Sequence, residues 1–328
     1  MIIAIVGPTA SGKTAISLEL AEMLGGGRRV EIISADAFQL YRGMDIGTAK
    51  ATPAERQRIR HHLIDVLDIS EEASVAAYQK QARAALANIM QRGKIPLVVG
   101  GSGLYVSALL DELDFPGTDP QVRAQVEKEA TADYPAILRE LATRDPQAYE
   151  TLDHRNRRRV IRAVEIIRLR GHYTSRFPRH TSHYPEVYMH GINRERAVLH
   201  AGIHKRVEEM FAAGLLTEVA ELLEQGLANT PTARRATGYA QAIEVLAGRM
   251  SQSEAIEKIT VATRQLARKQ ISWFTADPRL TWHDNTAGQA AKIAAQIYAS
   301  LPGQTPAPGN EPAPGNEPAL GNTPAPEN

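Results

Sequence analysis

The stretch IIAIVGPTASGKT, residues 2–14, decides the fold of this chain. Its first part, Ile2 to Val6, is an uninterrupted apolar run that predicts a buried strand. The rest fits the pattern G-x-x-x-x-G-K-[ST], a glycine-rich loop between a strand and a helix. Apolar residues at helical spacing follow from Ala15 to Leu24, and a run of glycines that begins at Gly25 ends the helix.

The loop between this strand and this helix is predicted to grip phosphate. In such a loop, backbone N–H groups and the helix N-terminus stabilise phosphate oxygens, so a chance glycine turn is the weaker interpretation. Lys13 adds a positive charge, and the Thr14 hydroxyl is a candidate ligand for Mg²⁺. The residues predicted to bind a diphosphate or triphosphate are Gly7, Pro8, Thr9, Ala10, Ser11, Gly12, Lys13 and Thr14. The motif does not name the reaction, because kinases, NTPases and diphosphate-expelling transferases all use it.

Strands and helices alternate through the first part of the chain. Val30 to Ser34 reads as a second strand, a helix is expected near 73–91, and Ile95 to Val99 reads as a third strand. This alternation predicts the α/β class, with a parallel sheet like that of P-loop NTPases and helices on both of its faces. Loops at the carboxyl ends of such strands line the ligand crevice.

Changes in helical periodicity and composition along the sequence predict the domain organisation. Residues 1–113 are predicted to form the first part of the P-loop core, and residues 114–192 a mostly helical insertion. Residues 193–300 are expected to complete the core with helices. Residues 301–328, which repeat Pro-Ala-Pro-Gly-Asn-Glu in tandem, are predicted to form a disordered tail.

Composition limits the classes of protein. The chain has 328 residues, 43% of them hydrophobic, and a formal net charge of +1, which argues against uniform coating of nucleic acid. It has no cysteine, which excludes disulfides and Cys-ligated zinc and favours a reducing cytosol. No apolar run approaches the roughly 20 residues of a spanning helix, and no signal peptide is recognised. We therefore expect a cytoplasmic protein without membrane contact, acting as a monomer.

Polar residues after the second and third strands are candidate site residues. Asp36 would act there as a general base or as an Mg²⁺ partner, and the alternative is an aspartate that caps a helix. Ser102 lies in Gly-Gly-Ser-Gly and has the same ambiguity, because its hydroxyl could simply cap a turn. The histidines, among them His61, His62 and His183, lack the spacing of a helical zinc site.

Three basic segments point towards RNA. Arg155, Arg158, Arg159 and Arg162 recur on one face of a predicted helix, either as a solvated face or as a phosphate-binding stripe. Arg234-Arg235 precede Thr237-Gly238-Tyr239, and Arg264, Arg268 and Lys269 precede Trp273. Basic residues interleaved with aromatic residues suit RNA with unstacked bases better than duplex DNA.

Taken together, these motifs resemble the tRNA dimethylallyltransferase family, also called tRNA isopentenyltransferases. The resemblance covers about residues 2–285. It rests on GPTASGKT at 7–14, DAFQLYRGMDIGTAK at 36–50, HHLID at 61–65, GGSGLY at 100–105, RRVIRA at 158–163, TGY at 237–239 and ATRQLARKQISW at 262–273.

This resemblance implies an enzyme that moves the dimethylallyl group of dimethylallyl diphosphate to N6 of the adenosine immediately 3′ of the anticodon, position 37. The tRNAs concerned read codons beginning with U. The implied catalytic residues are Asp36, which accepts the proton of the amine, Ser102, which stands where the family usually has threonine, and Arg206, which binds the diphosphate together with Mg²⁺. The implied tRNA-binding residues are Asp36, Ala37, Phe38, Gln39, Arg158, Arg159, Val160, Ile161, Arg162, Arg235, Gly238, Tyr239, Arg268, Lys269, Gln270 and Trp273. The insertion would clamp the anticodon stem.

The sequence departs from the family pattern at a few positions. Ala37 stands for a common serine and Gly202 for a common arginine, and the order Arg268-Lys269 is reversed. These changes bear on the tRNA contacts, because arginine and lysine are not equivalent at bidentate sites. A prenyltransferase acting on free adenine nucleotides and a P-loop kinase with an RNA-binding appendage are the alternative functions.

Overall fold

The computed structural model of this chain describes residues 1–173 and 180–304. The tandem repeats of the predicted tail lie outside these residues. The strands are β1 (Ile2–Val6), β2 (Val30–Ser34), β3 (His61–His62), β4 (Ile95–Gly100), β5 (Val187–Asn193) and β6 (Leu280–Asp284). The helices are α1 (Lys13–Met23), α2 (Pro53–Arg58), α3 (Val75–Gln91), α4 (Gly103–Leu110), α5 (Pro120–Ala132), α6 (Tyr134–Arg144), α7 (Pro146–Thr151), α8 (Arg157–Arg170), α9 (Arg196–Ala212), α10 (Leu215–Glu224), α11 (Tyr239–Leu246), α12 (Gln252–Thr275) and α13 (Ala290–Ser300).

The strands form one parallel sheet in the order β3-β2-β4-β1-β5-β6. Strand β1 lies in its interior, where Ile3 pairs with Leu97 of β4 and with Tyr188 of β5. Every residue of β1 and β2 is buried, as expected for strands covered on both faces. Helices α1 and α13 pack on one face, and α3 and α4 pack on the other. The predicted α/β fold is confirmed.

Three strands of the sheet were not predicted, and the first of them, β3, is two residues long. Strand β5 begins inside the range 114–192 that was expected to be helical insertion and ends at Asn193, one residue beyond it. Strand β6 lies in the range expected to complete the core with helices. Neither is a plain apolar run, because β5 contains His190 and β6 contains His283. The two rings meet at 3.1 Å between Nδ1 and Nε2, and burial lowers the pKa of His190 to about 4. A neutral imidazole can be buried inside the sheet.

The insertion has its own hydrophobic core, built by helices α5 to α8. Asp119, Asp133 and Asp145 each accept backbone N–H groups at a helix start, and a proline follows within the first turn. Proline is tolerated in a first turn because the N–H that it lacks has no intrahelical partner there. The proline breaks seen in the sequence are therefore helix starts, and helices occupy 120–170 as predicted.

Helices α9 to α12 form another cluster, which packs against the long loop after β2. The carboxylate of Glu218 on α10 accepts the backbone N–H groups of Asp45, Ile46 and Gly47. The Nζ of Lys50 lies 2.6 Å from carboxylate oxygens of both Asp45 and Asp65. These contacts fix the loop that borders the candidate site.

The end of the fold lies later than predicted. Leu301, the first residue of the expected tail, is buried in the core beside α1 and α13. Within 1–173 and 180–304, no helix is both long and apolar enough to cross a membrane.

Candidate active site

The glycine-rich loop is fixed by contacts from distant parts of the chain. Gly12 has φ 94° and precedes α1, a conformation that favours glycine. Asn285, after β6, donates its side-chain amide to the carbonyl of Ser11 at 2.9 Å. The N–H of Thr9 donates to Oε1 of Gln270 on α12, also at 2.9 Å. Residues close together in the C-terminal part of the chain therefore hold this N-terminal loop in shape.

Two cations and one carboxylate meet beside the loop. Lys13 donates from Nζ to the carbonyl of Pro8 at 2.6 Å. Burial, together with the nearby charge of Arg206, lowers the pKa of Lys13 to about 7, whereas Asp36 acts in the opposite direction. Burial also lowers the pKa of Arg206, again opposed by Asp36. Such a pair of cations is stabilised by a multiply charged anion.

Asp36 caps a turn with one of its two carboxylate oxygens. Its Oδ1 accepts the N–H groups of Phe38 and Gln39 at 2.9 and 3.3 Å, which is a turn-capping arrangement. Its other oxygen makes no hydrogen bond or ion pair with the described residues. Ser102 accepts the N–H of Ala37 at 3.3 Å and holds this turn in place. One carboxylate oxygen is thus fixed, and the other remains available for chemistry.

The cavity beside these residues lies between the carboxyl ends of the strands and helices α9 and α12. Its polar lining includes Thr9, Lys13, Thr14, Asp36 and Arg206. Apolar side chains complete the wall, among them Ile203, Val207, Met210 and Ile259. A cavity with a cationic end and an apolar wall suits a ligand that joins a phosphate group to a hydrocarbon chain. Sequence reasoning missed the apolar wall, because only folding brings α9 and α12 together.

Oxygen donors for a metal ion are few. Within 1–173 and 180–304, no group of three or more His, Cys, Asp or Glu side chains could hold an ion. Thr14, with its hydroxyl, and Asp36, with its carboxylate, both line the cavity. Mg²⁺ favours such hard oxygen ligands, and it commonly takes its remaining ligands from phosphate and water. The donors present therefore fit Mg²⁺ only when a phosphate ligand accompanies it.

The predicted RNA-binding residues fall into different environments. Phe38 and Gln39 line the cavity. The amide of Gln39 is engaged on both sides, accepting from Ser34 at 2.8 Å and donating to the carbonyls of Thr48 and Ala49. The exposed members of the predicted set are Arg158, Arg159, Arg235, Arg268 and Lys269.

Other predicted RNA contacts need correction, because each helix exposes only one face. Val160 and Ile161 are buried in the core of the insertion, and Tyr239 is fully buried with its hydroxyl donating to Glu218 at 2.6 Å. Gln270 is largely buried, accepts the N–H of Thr9 and also lines the cavity. The side chains of Val160, Ile161 and Tyr239 therefore pack inside the protein.

Three further predicted residues have contacts within the protein. Arg162 pairs with Glu165 at 2.7 Å and donates to the carbonyl of Pro116, so it has an acidic partner that the sequence did not reveal. Gly238 is a buried backbone position with φ 101°. Trp273 packs so closely on Gly103 that a Cβ there would lie 2.2 Å from its ring.

Some residues important to the site had no assigned role at the sequence level. Asn285 and Glu218 are the clearest, since one supports the glycine-rich loop and the other supports the loop after β2. His61 lines the cavity and was noted only as part of a motif. No local pattern marks such residues, because their partners are distant in sequence.

Comparisons with known proteins find relatives that match most of this chain. Residues 39–277 match the family model described as IPP transferase. The chain is 48% identical to the tRNA dimethylallyltransferase of Bifidobacterium animalis subsp. lactis over 284 residues, 86% of this chain and 81% of that protein. It is 49% identical to the corresponding protein of Kineococcus radiotolerans, covering 86% and 90% of the two chains.

Solved structures of proteins from the same family also match this chain. The tRNA isopentenylpyrophosphate transferase of Bacillus halodurans superposes with a TM-score of 0.65 at 37% identity, covering 90% of this chain and 95% of that one. A eukaryotic dimethylallyltransferase, described as acting on tRNA, superposes with a TM-score of 0.75 at 25% identity, covering 91% and 77%. On the strength of its fold, its loop and these similarities, the chain belongs to the tRNA dimethylallyltransferase family.

Proposed function

We propose that this chain transfers the dimethylallyl group of dimethylallyl diphosphate to N6 of adenosine 37 in tRNA and releases diphosphate. The single observation that carries the proposal is the cavity in which Lys13 and Arg206 face Asp36 beside an apolar wall. The cations suit a diphosphate, the wall suits a short hydrocarbon, and the carboxylate suits an amine that must lose a proton. Its relatives are named for this activity.

Different residues of the cavity are suited to different parts of the reaction. As N6 attacks the allylic carbon, the carbon–oxygen bond to diphosphate breaks, and negative charge builds on the leaving group. Loop amides, Lys13 and Arg206 stabilise that charge, and Mg²⁺ held by Thr14 would supply further positive charge. The available oxygen of Asp36 takes the proton that N6 loses, and Ser102 keeps the turn of Asp36 in position.

The acceptor must leave its stacked position to reach this cavity. Enzymes that modify a base commonly extrude it into a pocket and contact the flanking nucleotides. Phe38 borders the cavity, and the exposed Arg235, Arg268 and Lys269 are candidates for holding the surrounding RNA backbone. Arg158 and Arg159 on the insertion are suited to clamp the anticodon stem.

We further propose that the protein acts as a monomer in the cytoplasm. The loop, Asp36 and Arg206 all come from one chain, so the cavity needs no contribution from a second copy. Cytoplasmic tRNA would be its substrate.

The direct test is to incubate the protein with dimethylallyl diphosphate, Mg²⁺ and unmodified tRNA that reads codons beginning with U. Mass analysis of digested nucleosides should show adenosine carrying one dimethylallyl group. Absence of this product would contradict the proposal. Preference for AMP over an anticodon stem-loop would favour the free-nucleotide enzyme, and transfer of labelled γ-phosphate from ATP would favour the kinase.

A further inference from the structure

A second basic surface lies outside the cavity, between α9 and α12. We call it the α9–α12 groove. Its basic lining is Arg194 and Arg196 with His200 on one side, and Arg264 and Arg268 on the other. A stretch of apolar side chains forms its floor.

The two helices run antiparallel, and this places basic residues opposite each other. Nδ1 of His204 on α9 lies 3.4 Å from the hydroxyl of Thr260 on α12. One turn earlier on α9, the carbonyl of His200 accepts a hydrogen bond from Arg264 of α12 at 3.5 Å. A further turn brings Arg196 level with Arg268, because each turn takes 3.6 residues on both helices. The groove is therefore bordered by two facing basic rows.

The charges of the groove are not neutralised within the protein. The side chains of Arg194, Arg196 and Arg268 make no hydrogen bond or ion pair with residues 1–173 and 180–304. Glu195 is the acidic residue of the lining, and it accepts the N–H of Ala197 at the start of α9. The Nε atoms of Arg194 and Arg264 are buried without a partner among the described residues. Leaving a charged donor unsatisfied is costly, so an anion in the groove would be favoured.

Packing separates the groove from the diphosphate cavity. Leu199, Ile203 and Ala267 form a small core between α9 and α12, with Ala10 of the glycine-rich loop packed against it. Arg194 occupies the end of the groove nearest the loop. A Cβ on Gly12 would lie 3.3 Å from its Nη2, and a Cβ on Gly202 would lie 3.8 Å from its Nη1. The guanidinium therefore fills space that Gly202 leaves beside the loop.

We propose that the α9–α12 groove binds the backbone of the RNA substrate, with Arg194 and Arg264 as phosphate contacts outside the reaction cavity. The proposal rests on the proposed function, since it adds a contact to the same substrate. Two facing rows of cations suit successive phosphates along a strand better than one small anion. The groove shares Arg268 and Ser272 with the neighbouring surface around Lys269 and Trp273, where cations and an aromatic ring suit unpaired RNA.

The test compares Arg194→Ala/Arg264→Ala with the control pair Arg28→Ala/Arg60→Ala. The control removes the same charge at exposed arginines elsewhere. The probe is an unmodified anticodon stem-loop RNA, and its Kd is measured by fluorescence anisotropy over a range of NaCl concentrations. The groove pair should weaken binding at least tenfold at low salt and reduce the slope of log Kd against log salt by about 0.7 for each lost contact to single-stranded RNA. The control pair should match the parent.

A second variant keeps the test valid if the first groove variant does not fold. Arg196→Glu/Arg268→Glu changes only exposed side chains, and it should reduce the salt slope by at least as much. Circular dichroism melting should show that both groove variants are folded.

Two results would overturn the proposal. One is a salt slope equal to that of the parent in both folded groove variants. The other is weakened binding of free diphosphate or AMP with RNA binding unaltered, which would assign the groove to a small molecule. If the parent transfers no dimethylallyl group but binds RNA with the groove-dependent slope, the proposed function fails and the groove assignment stands.

Discussion

The reaction cavity and the α9–α12 groove are both basic, yet their charges are arranged differently. In the cavity, Lys13 and Arg206 are opposed by Asp36, and burial lowers the pKa of both cations. In the groove, Arg196 and Arg268 are exposed, and among the described residues Glu195 is the acidic member of the lining. Buried charges of opposite sign suit a reaction in which charge moves, because their effect is strong at short range. Unopposed exposed charges suit a polymer of phosphates, because their effect is weakened by salt.

The largest effect is expected at Asp36. The Asp36→Asn variant keeps a side-chain oxygen that can accept the N–H groups of Phe38 and Gln39, so the turn should survive. Loss of the base should lower kcat by about 10²–10⁴-fold while binding of the diphosphate donor changes little. Single-turnover rates and donor affinity measure the two effects separately. An active Asp36→Asn or Asp36→Ala variant would show that another group accepts the proton.

The second-largest effect is expected on the pH dependence of donor binding, which RNA binding in the groove should not show. Burial lowers the pKa of Lys13 to about 7, so its amine is charged below that pH and increasingly neutral above it. Diphosphate binding requires the charged form, so the Kd of the donor should rise by up to tenfold per pH unit above about 7. Titration calorimetry should detect proton uptake on binding at pH 8. The Lys13→Met variant should bind weakly with no such dependence, and a dependence that persists would implicate a different group.

A smaller effect is expected at Asn285, which contacts the glycine-rich loop from a distant part of the sequence. Asn285→Ala leaves the carbonyl of Ser11 without its donor and should cost about 1–3 kcal/mol of stability. Looser loop geometry should also raise the Kd of the donor, with RNA affinity little changed. Urea unfolding and donor titration provide the measurements. Asn88→Ala, which removes a surface contact to Arg92, is the matched control and should change neither quantity.

The smallest effect is expected at Gly202, on the α9 side of the groove. Alanine is a better helix former, and its Cβ would make ordinary contact with Arg194 at 3.8 Å. Gly202→Ala should therefore raise the free energy of unfolding by about 0.5–1 kcal/mol, with prenyl transfer and the RNA salt slope unchanged. A loss of RNA affinity in this variant would show that the position of Arg194 is more constrained than the distance suggests.

Sequence reasoning succeeded where the signal is local. The P-loop, the first sheet strands and the helical nature of the insertion each follow from a contiguous pattern, and the structure contains all three. It failed at β3, which is only two residues long, and at β5 and β6, where the buried His190 and the partly buried His283 interrupt the apolar pattern. It also assigned Val160, Ile161 and Tyr239 to RNA, because a motif includes residues that support the surface from within. Burial depends on the whole fold, so the motif could not distinguish them.

The sequence by itself determined the glycine-rich loop between β1 and α1, the parallel α/β fold and the family, since each rests on contiguous sequence motifs. Only the tertiary structure decided which charges oppose each other. Asp36 meets Arg206 because α9 packs over the carboxyl ends of the strands, and Arg196 aligns with Arg268 because α9 and α12 pack antiparallel. Electrostatic effects depend on distance and burial, and both are set by packing between segments far apart in sequence.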